Sequence, residues 1–252
     1  MTLDLLFILV LGGAAFFYAA LVPGRGRSWA LLVGSVIAIY WLQPSLPIRF
    51  SSFILQTTTV VLTVAAWWLT KVPNSDVSTS LSTSSGTGDE AETTHSARRI
   101  PDSDNLLTLL IIGLLVVLMA LNRYLAFDVR ITADRPPPPL AVAAVLGALG
   151  FILLSLIRRQ KEAVSKRSLS VAILIIVVLL IALKWEPLAV RAAAVWRSST
   201  GQDASLAGIG DLAWLGFSYV AFRLIHTLRD RQTGLLPDLT LRDYVIYVLF
   251  TP

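Results

Sequence analysis

The chain of 252 residues contains no cysteine, which excludes disulfides, thiolate catalysis and cysteine-based metal sites. It is also poor in charge, since only 15% of its residues are charged against about 25% in a typical soluble protein. Histidine occurs only twice, at His95 and His226, and neither belongs to a paired-histidine zinc motif. No glycine-rich phosphate loop and no Ser/His/Asp ordering is visible. We therefore predict no cofactor, no metal and no catalytic residue from residue motifs alone.

The chain is rich in apolar residues, which make up 55% of it and give a mean hydropathy of +0.71. They come in runs of about 15–20 residues, the length that a helix needs to cross about 30 Å of hydrocarbon. Backbone groups in that layer must pair within the segment, which favours helices, and the runs lack the alternation of a membrane barrel. The composition predicts an all-α fold, a polytopic transmembrane helical bundle in a lipid bilayer.

The apolar runs predict seven spans and the start of an eighth. Residues 1–71 hold three spans, residues 72–105 form a loop, and residues 106–252 hold four further spans and the start of the eighth. The predicted spans are about Leu3–Val22, Trp29–Leu42, Phe53–Thr70, Leu106–Leu121, Leu140–Ile157, Leu169–Leu183, and Ser205–Ile225 continuing through Asp230. The segment Leu188–Trp196 fits the membrane interface, and Trp67 and Trp68 fit an interfacial aromatic belt. Ala143, Gly147 and Gly150 form a small-residue face suited to close helix packing.

The polar segments predict the orientation of the bundle. Residues 72–105 are rich in Ser, Thr, Asp and Glu and cannot bury a core, so we expect a disordered loop. Lysine and arginine are concentrated in alternate loops, most clearly in Arg158–Arg167, which places these loops and 72–105 in the cytoplasm and the N-terminus outside. The first span lacks a cleavage signal, so we expect it to be retained in a multi-pass protein of the cell inner membrane. The net charge of +5 follows from these loops and does not indicate nucleic-acid binding.

Charged side chains within the last apolar segment are the clearest candidates for function. On a helix, Arg223, His226 or Thr227, and Asp230 share one face, and Ser218-Tyr219 and Phe222 roughly continue the stripe. Ionisable residues inside a membrane are costly and usually face protein or a water-filled cavity. Two simpler interpretations remain open: Arg223 and Asp230 snorkel or pair at the helix end, and His226 lies at the interface. Asp211 is a candidate to cap or start the helix after Gly208-Ile209-Gly210.

The tail of the chain resembles a signature of the bacterial membrane-bound O-acyltransferases (the MBOAT family, which includes alginate O-acetyltransferases). The similarity covers Trp214-Leu-Gly-Phe-Ser-Tyr-Val-Ala-Phe-Arg-Leu-Ile-His-Thr-Leu-Arg-Asp230 and Leu241-Arg-Asp-Tyr-Val-Ile-Tyr-Val-Leu-Phe-Thr-Pro252. Matching positions are Leu215, Gly216, Ser218, Phe222, Asp230, Tyr247, Phe250 and Pro252. Weaker similarities lie in Arg27–Trp41 and in Leu183-Lys184-Trp185.

The resemblance implies transfer of an acyl group from a thioester or carrier-bound donor to a hydroxyl acceptor, with a histidine as general base. In the family, that histidine lies well beyond the position of Pro252, after a Gly-Pro-Ile element. His226 falls on a position where the family has Ser or Tyr. We therefore expect the chain to be the N-terminal portion of such an enzyme, inactive alone. Its partner would be a C-terminal acyltransferase half or another membrane subunit, and Ser218, Phe222, Arg223, His226 and Asp230 would line the chamber or support it.

Two other functions are compatible with the sequence. A non-catalytic integral membrane scaffold or subunit would use the same charged face for a polar contact with a partner helix. A transporter would require inverted repeats and broken helices near the midplane, and no internal repeat is visible.

Overall fold

The computed structural model describes residues 26–71, 102–126, 131–132, 134–159 and 165–250. Within these ranges the secondary structure is helical throughout, with eight α-helices, three short 3-10 helices and no strand. The α-helices are α1 Arg27–Leu42, α2 Ser51–Thr70, α3 Asp102–Leu121, α4 Pro139–Arg159, α5 Lys166–Lys184, α6 Glu186–Ser199, α7 Phe217–Thr233 and α8 Leu241–Leu249. The predicted span Leu3–Val22, residues 72–101 of the predicted loop, and Pro252 lie outside the described residues.

The prediction of an all-helical membrane protein is confirmed at this coarse level. Three segments, at α2, α3 and α5, are long and apolar enough to cross a membrane: Ser51–Thr70, Ser103–Tyr124 and Lys166–Lys184. Shorter apolar helices cover Arg27–Leu42 and Pro139–Ile152. The described residues therefore supply three full-length candidates, and the count of seven spans is not established. Helix α6 covers the predicted interfacial segment and buries only the stripe Ala189, Ala193 and Arg197.

One predicted boundary and one predicted span are wrong. Helix α3 begins at Asp102, so the last residues of the predicted 72–105 loop are helical, and the Asn105 side chain accepts a hydrogen bond from the Leu241 amide at 2.9 Å. The apolar stretch after Ser205 is not one helix. It forms two 3-10 turns, Ala204–Leu206 and Ile209–Leu212, and α7 begins only at Phe217.

Glycine explains why this seventh apolar stretch is broken. Gly216 precedes α7 with φ +75°, a left-handed conformation that a side chain at this position would strain. Gly234 ends α7 in the same conformation, with φ +77°. Hydropathy alone cannot detect this break, because the loop residues before Gly216 are as apolar as those of a span.

Helix α8 lies at the centre of the bundle, in contact with α1, α2, α3 and α7. It has only nine residues, too few for a stable isolated helix, so its structure depends on packing. One face is fully buried, and the Thr240 hydroxyl caps the first turn by accepting from the Asp243 amide at 3.1 Å. The buried face consists of Leu241, Tyr244, Val245, Val248 and Leu249. The predicted start of an eighth span is thus helical and is surrounded by protein on its apolar side.

The other helices pack around this centre in two groups. Helix α5 lies along α7, and α3 contacts both α1 and α4. Trp67 belongs to the core instead of an interfacial belt, because it is only 5% exposed and its indole N–H donates to the Leu239 carbonyl at 3.0 Å. This bond ties the end of α2 to the segment that enters α8.

The small residues of α4 open a groove instead of bringing helices together. Gly147 and Gly150, with Gly113 of α3, line an apolar groove of about 660 Å³ between α2, α3 and α4. A methyl group added at any of the three glycines would meet open space. The expectation of close packing on this face is therefore wrong for the described residues.

We predict that core and surface positions of α7 differ sharply in their effect on stability. Leu224 is fully buried, whereas the larger Phe222 on the same helix is 68% exposed. Leu224→Ala should lower the free energy of unfolding by about 2–5 kcal/mol, because it leaves a cavity. Phe222→Ala is the control and should change it by less than about 1 kcal/mol. Unfolding in mixed micelles by SDS titration measures both, and equal losses would contradict this packing.

Candidate functional site on the last two helices

Helix α7 is amphipathic, and this pattern sets the exposure of the predicted site residues. Its buried face, Phe217, Val220, Ala221, Leu224, Thr227 and Leu228, packs against α2, α5 and α8. The predicted site residues lie around the rest of the helix: Phe222 and His226 are exposed, and Ser218, Arg223 and Asp230 are half-buried. The sequence pattern thus placed them on the side of α7 away from the core, but the structure divides them between different partners.

His226 and Asp230 form one pair. The His226 Nδ1 atom lies 3.0 Å from Asp230 Oδ2, across one turn of the helix. The His226 side chain is 69% exposed and that of Asp230 is 29% exposed. Contact at Nδ1 leaves Nε2 as the ring nitrogen available to an outside partner. An exposed pair of this kind orients the imidazole but adds little to stability.

Arg223 does not join that pair, because it binds the end of α8. Its guanidinium donates hydrogen bonds to the carbonyl oxygens of Tyr247 and Phe250, the second at 3.0 Å. The guanidinium carbon also lies 4.2 Å and 5.0 Å from the ring centres of Tyr219 and Tyr247. The last carbonyls of a helix lack partners within the helix and carry partial negative charge, which a cation stabilises. Arg223 therefore caps α8.

Residues that carry the resemblance to O-acyltransferases gather around this arginine. Tyr247 and Phe250 supply the two carbonyls, and Phe222 is the neighbour of Arg223 in the chain. Tyr247 is 44% exposed, Phe250 is 42% exposed and Phe222 is 68% exposed. The Tyr219 hydroxyl adds a further hydrogen bond to the Phe250 carbonyl at 3.3 Å. Arg223, Tyr219, Tyr247 and Phe250 together form a partly exposed aromatic surface, which we call the Arg223 surface.

A buried glutamine positions the loop that leads into α7. The Gln43 side chain accepts hydrogen bonds from Gln56 at 2.5 Å and from the Leu215 amide at 3.2 Å, and it donates to the Ala213 carbonyl at 2.8 Å. Gln43 and Gln56 are each only 2% exposed. The sequence patterns did not predict this network. The feature that could have indicated it is Gln56, an uncharged polar residue in the apolar run that forms α2.

The same loop reaches the middle of α2. The Trp214 indole donates to the Thr59 hydroxyl at 2.9 Å, and Thr59 lies near the centre of Ser51–Thr70. The ring of Trp214 also stacks on Phe217 with centroids 3.9 Å apart. If α2 crosses a bilayer, α7 begins near its midplane, where non-helical backbone is tolerated only when protein or a cavity surrounds it.

The Arg197–Asp211 ion pair holds the 3-10 turn Ile209–Leu212, which precedes α7. Two hydrogen bonds join the side chains, from Nε at 2.5 Å and from Nη2 at 3.0 Å. Asp211 also accepts from the Gly208 amide at 3.3 Å. It lies inside the 3-10 turn Ile209–Leu212 and does not cap or start α7, which begins at Phe217. The hydrogen bond from Arg197 holds the pKa of Asp211 below its usual value and raises the pKa of Arg197, with burial opposing both changes. The sequence indicated the aspartate but not its partner in α6.

None of these clusters has the composition of a metal site, since no group of three or more His, Asp or Glu side chains converges in the described residues. No protein-family model, curated protein or solved structure matches the chain. The relation to O-acyltransferases therefore stays a prediction from the residues of the tail.

The glutamine network generates a prediction about stability. Gln43→Leu removes three hydrogen bonds and leaves the Ala213 carbonyl, the Leu215 amide and the Gln56 side-chain amide without their partner. Each buried polar group left unpaired costs about 1–3 kcal/mol, so we expect a loss of at least about 2 kcal/mol in the free energy of unfolding. Gln202→Leu is the control, because Gln202 bonds to backbone groups at an exposed position. SDS titration measures both, and a loss no larger than the control's would contradict the network.

The ion pair generates a prediction about acid stability. Because the pKa of Asp211 is lower in the folded protein, its stabilising contribution is complete above the unfolded value of about 3.9 and is lost as the pH falls through the lower folded value. Asp211→Asn should reduce stability at neutral pH and flatten the decline in stability below about pH 4. Asp238→Asn, at an exposed carboxylate, should do neither. Unfolding midpoints measured between about pH 3 and about pH 7 test this prediction. It would be contradicted if the stability of Asp211→Asn fell below about pH 4 as steeply as that of the unsubstituted protein.

Proposed function

We propose that the chain is the N-terminal part of a membrane-bound O-acyltransferase-like protein and forms part of the wall of its reaction chamber. The observation that carries the proposal is the Arg223 surface, where Tyr247 and Phe250 of the family-like tail meet Arg223 and are partly exposed. The side chains of Tyr247 and Phe250 are therefore open to a neighbouring helix or ligand beside an arginine that is held by two carbonyls.

In the proposed reaction, a histidine supplied by the C-terminal acyltransferase half removes the proton from an acceptor hydroxyl. The alkoxide oxygen attacks the thioester carbonyl, the carbon–sulfur bond breaks, and the thiolate leaves and takes up the proton. The acyl group is thereby transferred with no redox change. The role of this chain is to supply part of the wall, to hold the end of α8 through Arg223, and to support the site with Ser218, His226 and Asp230. His226 is not assigned the role of base, since it falls on a Ser or Tyr position of the family signature.

We place the protein in the cell inner membrane as a multi-pass protein. The N-terminus would lie outside and the Arg158–Arg167 loop in the cytoplasm, as the distribution of lysine and arginine favours. The acyl donor and the hydroxyl acceptor would bind only when a C-terminal acyltransferase half or another membrane subunit completes the site.

A second candidate is a non-catalytic membrane scaffold. The observation that favours it is the exposed His226–Asp230 pair beside Phe222, a polar and aromatic surface suited to a neighbouring helix. Copurification from detergent separates the two functions. A stoichiometric partner without a membrane histidine supports the scaffold, and a partner with one supports the transferase.

We expect Asp230→Ala to reduce acyl transfer more than His226→Ala. Asp230 falls on a position of the family signature and His226 does not, although the two side chains are in contact. The chain is co-expressed with a membrane segment that bears the histidine, and transfer from a labelled thioester is measured in membranes. Rates are normalised to the amount of assembled complex, so that loss of assembly is distinguished from loss of chemistry. Equal tolerance of the two substitutions would refute the assignment.

A further inference from the structure

Four cationic residues belong to the two helix turns that meet where α7 ends and α5 begins. The Gln232 side chain donates hydrogen bonds to the Lys166 carbonyl at 3.3 Å and to the Ser170 hydroxyl at 2.9 Å. These bonds place the last turn of α7 against the first turn of α5, although the two are more than 60 residues apart in the chain. Lys166 and Arg167 on α5 and Arg229 and Arg231 on α7 are brought into one region, which we call the basic junction.

The basic junction carries a clear excess of positive charge. Lys166, Arg167 and Arg229 are exposed and Arg231 is half-buried. The one acidic residue among them, Asp230, is engaged by His226. Asp238 is the next acidic residue in the chain. Its neighbour Leu239 accepts a hydrogen bond from Trp67 at the end of α2, so this part of the chain lies at α2 and not at α5. Among the described residues, four cations and one carboxylate therefore lie in this region.

The backbone of α5 adds to this potential. A 19-residue helix begins at Lys166, and its first amide groups and dipole favour an anion at that end. Ser165 caps the helix by accepting from the Ser168 amide at 3.2 Å, and the two serine hydroxyls lie 3.0 Å apart at an exposed position. Hydroxyl donors and arginine side chains suit the oxygens of a phosphate group.

The surface of α5 beyond the junction is apolar and exposed, which selects the kind of anion. Val171, Leu174, Ile175, Val178 and Ile181 are each at least 54% exposed on this span candidate. A lipid at this position would place its phosphate at the basic junction and its acyl chains along α5. A free phosphate or an acidic peptide would make no use of that apolar surface.

We propose that the basic junction is a binding site for an anionic membrane lipid, which is held by its phosphate headgroup between α5 and α7. Clusters of four or more cations next to a membrane span attract acidic lipids, and each Lys or Arg near the surface contributes roughly a fivefold preference. The site is independent of the proposed acyl transfer. It would also fix α7, and with it the Arg223 surface, relative to the membrane.

Native mass spectrometry of the purified full chain in detergent tests the proposal, with phosphatidylglycerol and phosphatidylcholine of identical acyl chains as probes. The unsubstituted chain should retain phosphatidylglycerol preferentially. Arg229→Gln/Arg231→Gln should reduce that preference about fivefold or more, and Lys166→Gln/Arg167→Gln should do the same from the other helix. The matched control is Lys184→Gln/Arg191→Gln, which removes two exposed cations near the opposite end of α5 and should retain the preference.

Three results would overturn the proposal. The first is no preference for phosphatidylglycerol in the unsubstituted chain. The second is an equal reduction in the control, which would show a general effect of net charge. The third is complete displacement of the lipid by millimolar inorganic phosphate, which would identify a free-anion site. Circular dichroism checks that each variant is folded, and each pair of substitutions provides an independent measurement if the other fails to fold.

Discussion

The side chain of Gln43 is the constraint on which the arrangement of the last third of the chain depends. It joins the end of α1, the first half of α2 and the loop before α7 through three hydrogen bonds. In an apolar interior, unpaired backbone groups are costly, so a loop can enter only where side chains satisfy it. Gln43 satisfies one carbonyl and one amide of that loop, and Trp214 fastens it to the middle of α2. The starting point of α7 is thereby set.

Once α7 is positioned, α8 and the Arg223 surface follow from it. Leu224 and Leu228 are fully buried, and the Thr227 hydroxyl lies 2.7 Å from that of Tyr244, so α7 and α8 share a core. Arg223 then satisfies the carbonyls at the end of α8. A nine-residue helix is stable in the centre of the bundle because its apolar face, its first turn and its last carbonyls are all provided with partners. The aromatic residues around Arg223 remain partly exposed.

The surface of the bundle differs from place to place in ways that suit a membrane. Helix α5 buries little of its apolar length and begins at the basic junction, whereas a buried ion pair, Arg197–Asp211, holds the turn that follows α6. The groove along α4 is open because Gly113, Gly147 and Gly150 leave space that no helix of the described residues fills. Apolar surface of this extent is costly in water and favourable against lipid. These features agree with the membrane location and add detail that hydropathy does not contain.

The amino-acid sequence by itself determined the helical class, the membrane setting and the approximate ends of α1 to α6, because long apolar runs with few charges leave only helices possible in a bilayer. It also placed Arg223, His226 and Asp230 on one helix. Only the tertiary structure decided that the segment after Ser205 is broken, that Arg223 binds α8 while His226 binds Asp230, and that Gln43 and Arg197 hold the loops. Local periodicity reports which face of a helix is apolar. The partners of Arg197, Arg223 and Gln43 include residues 14 to 172 positions away, which packing alone brings together.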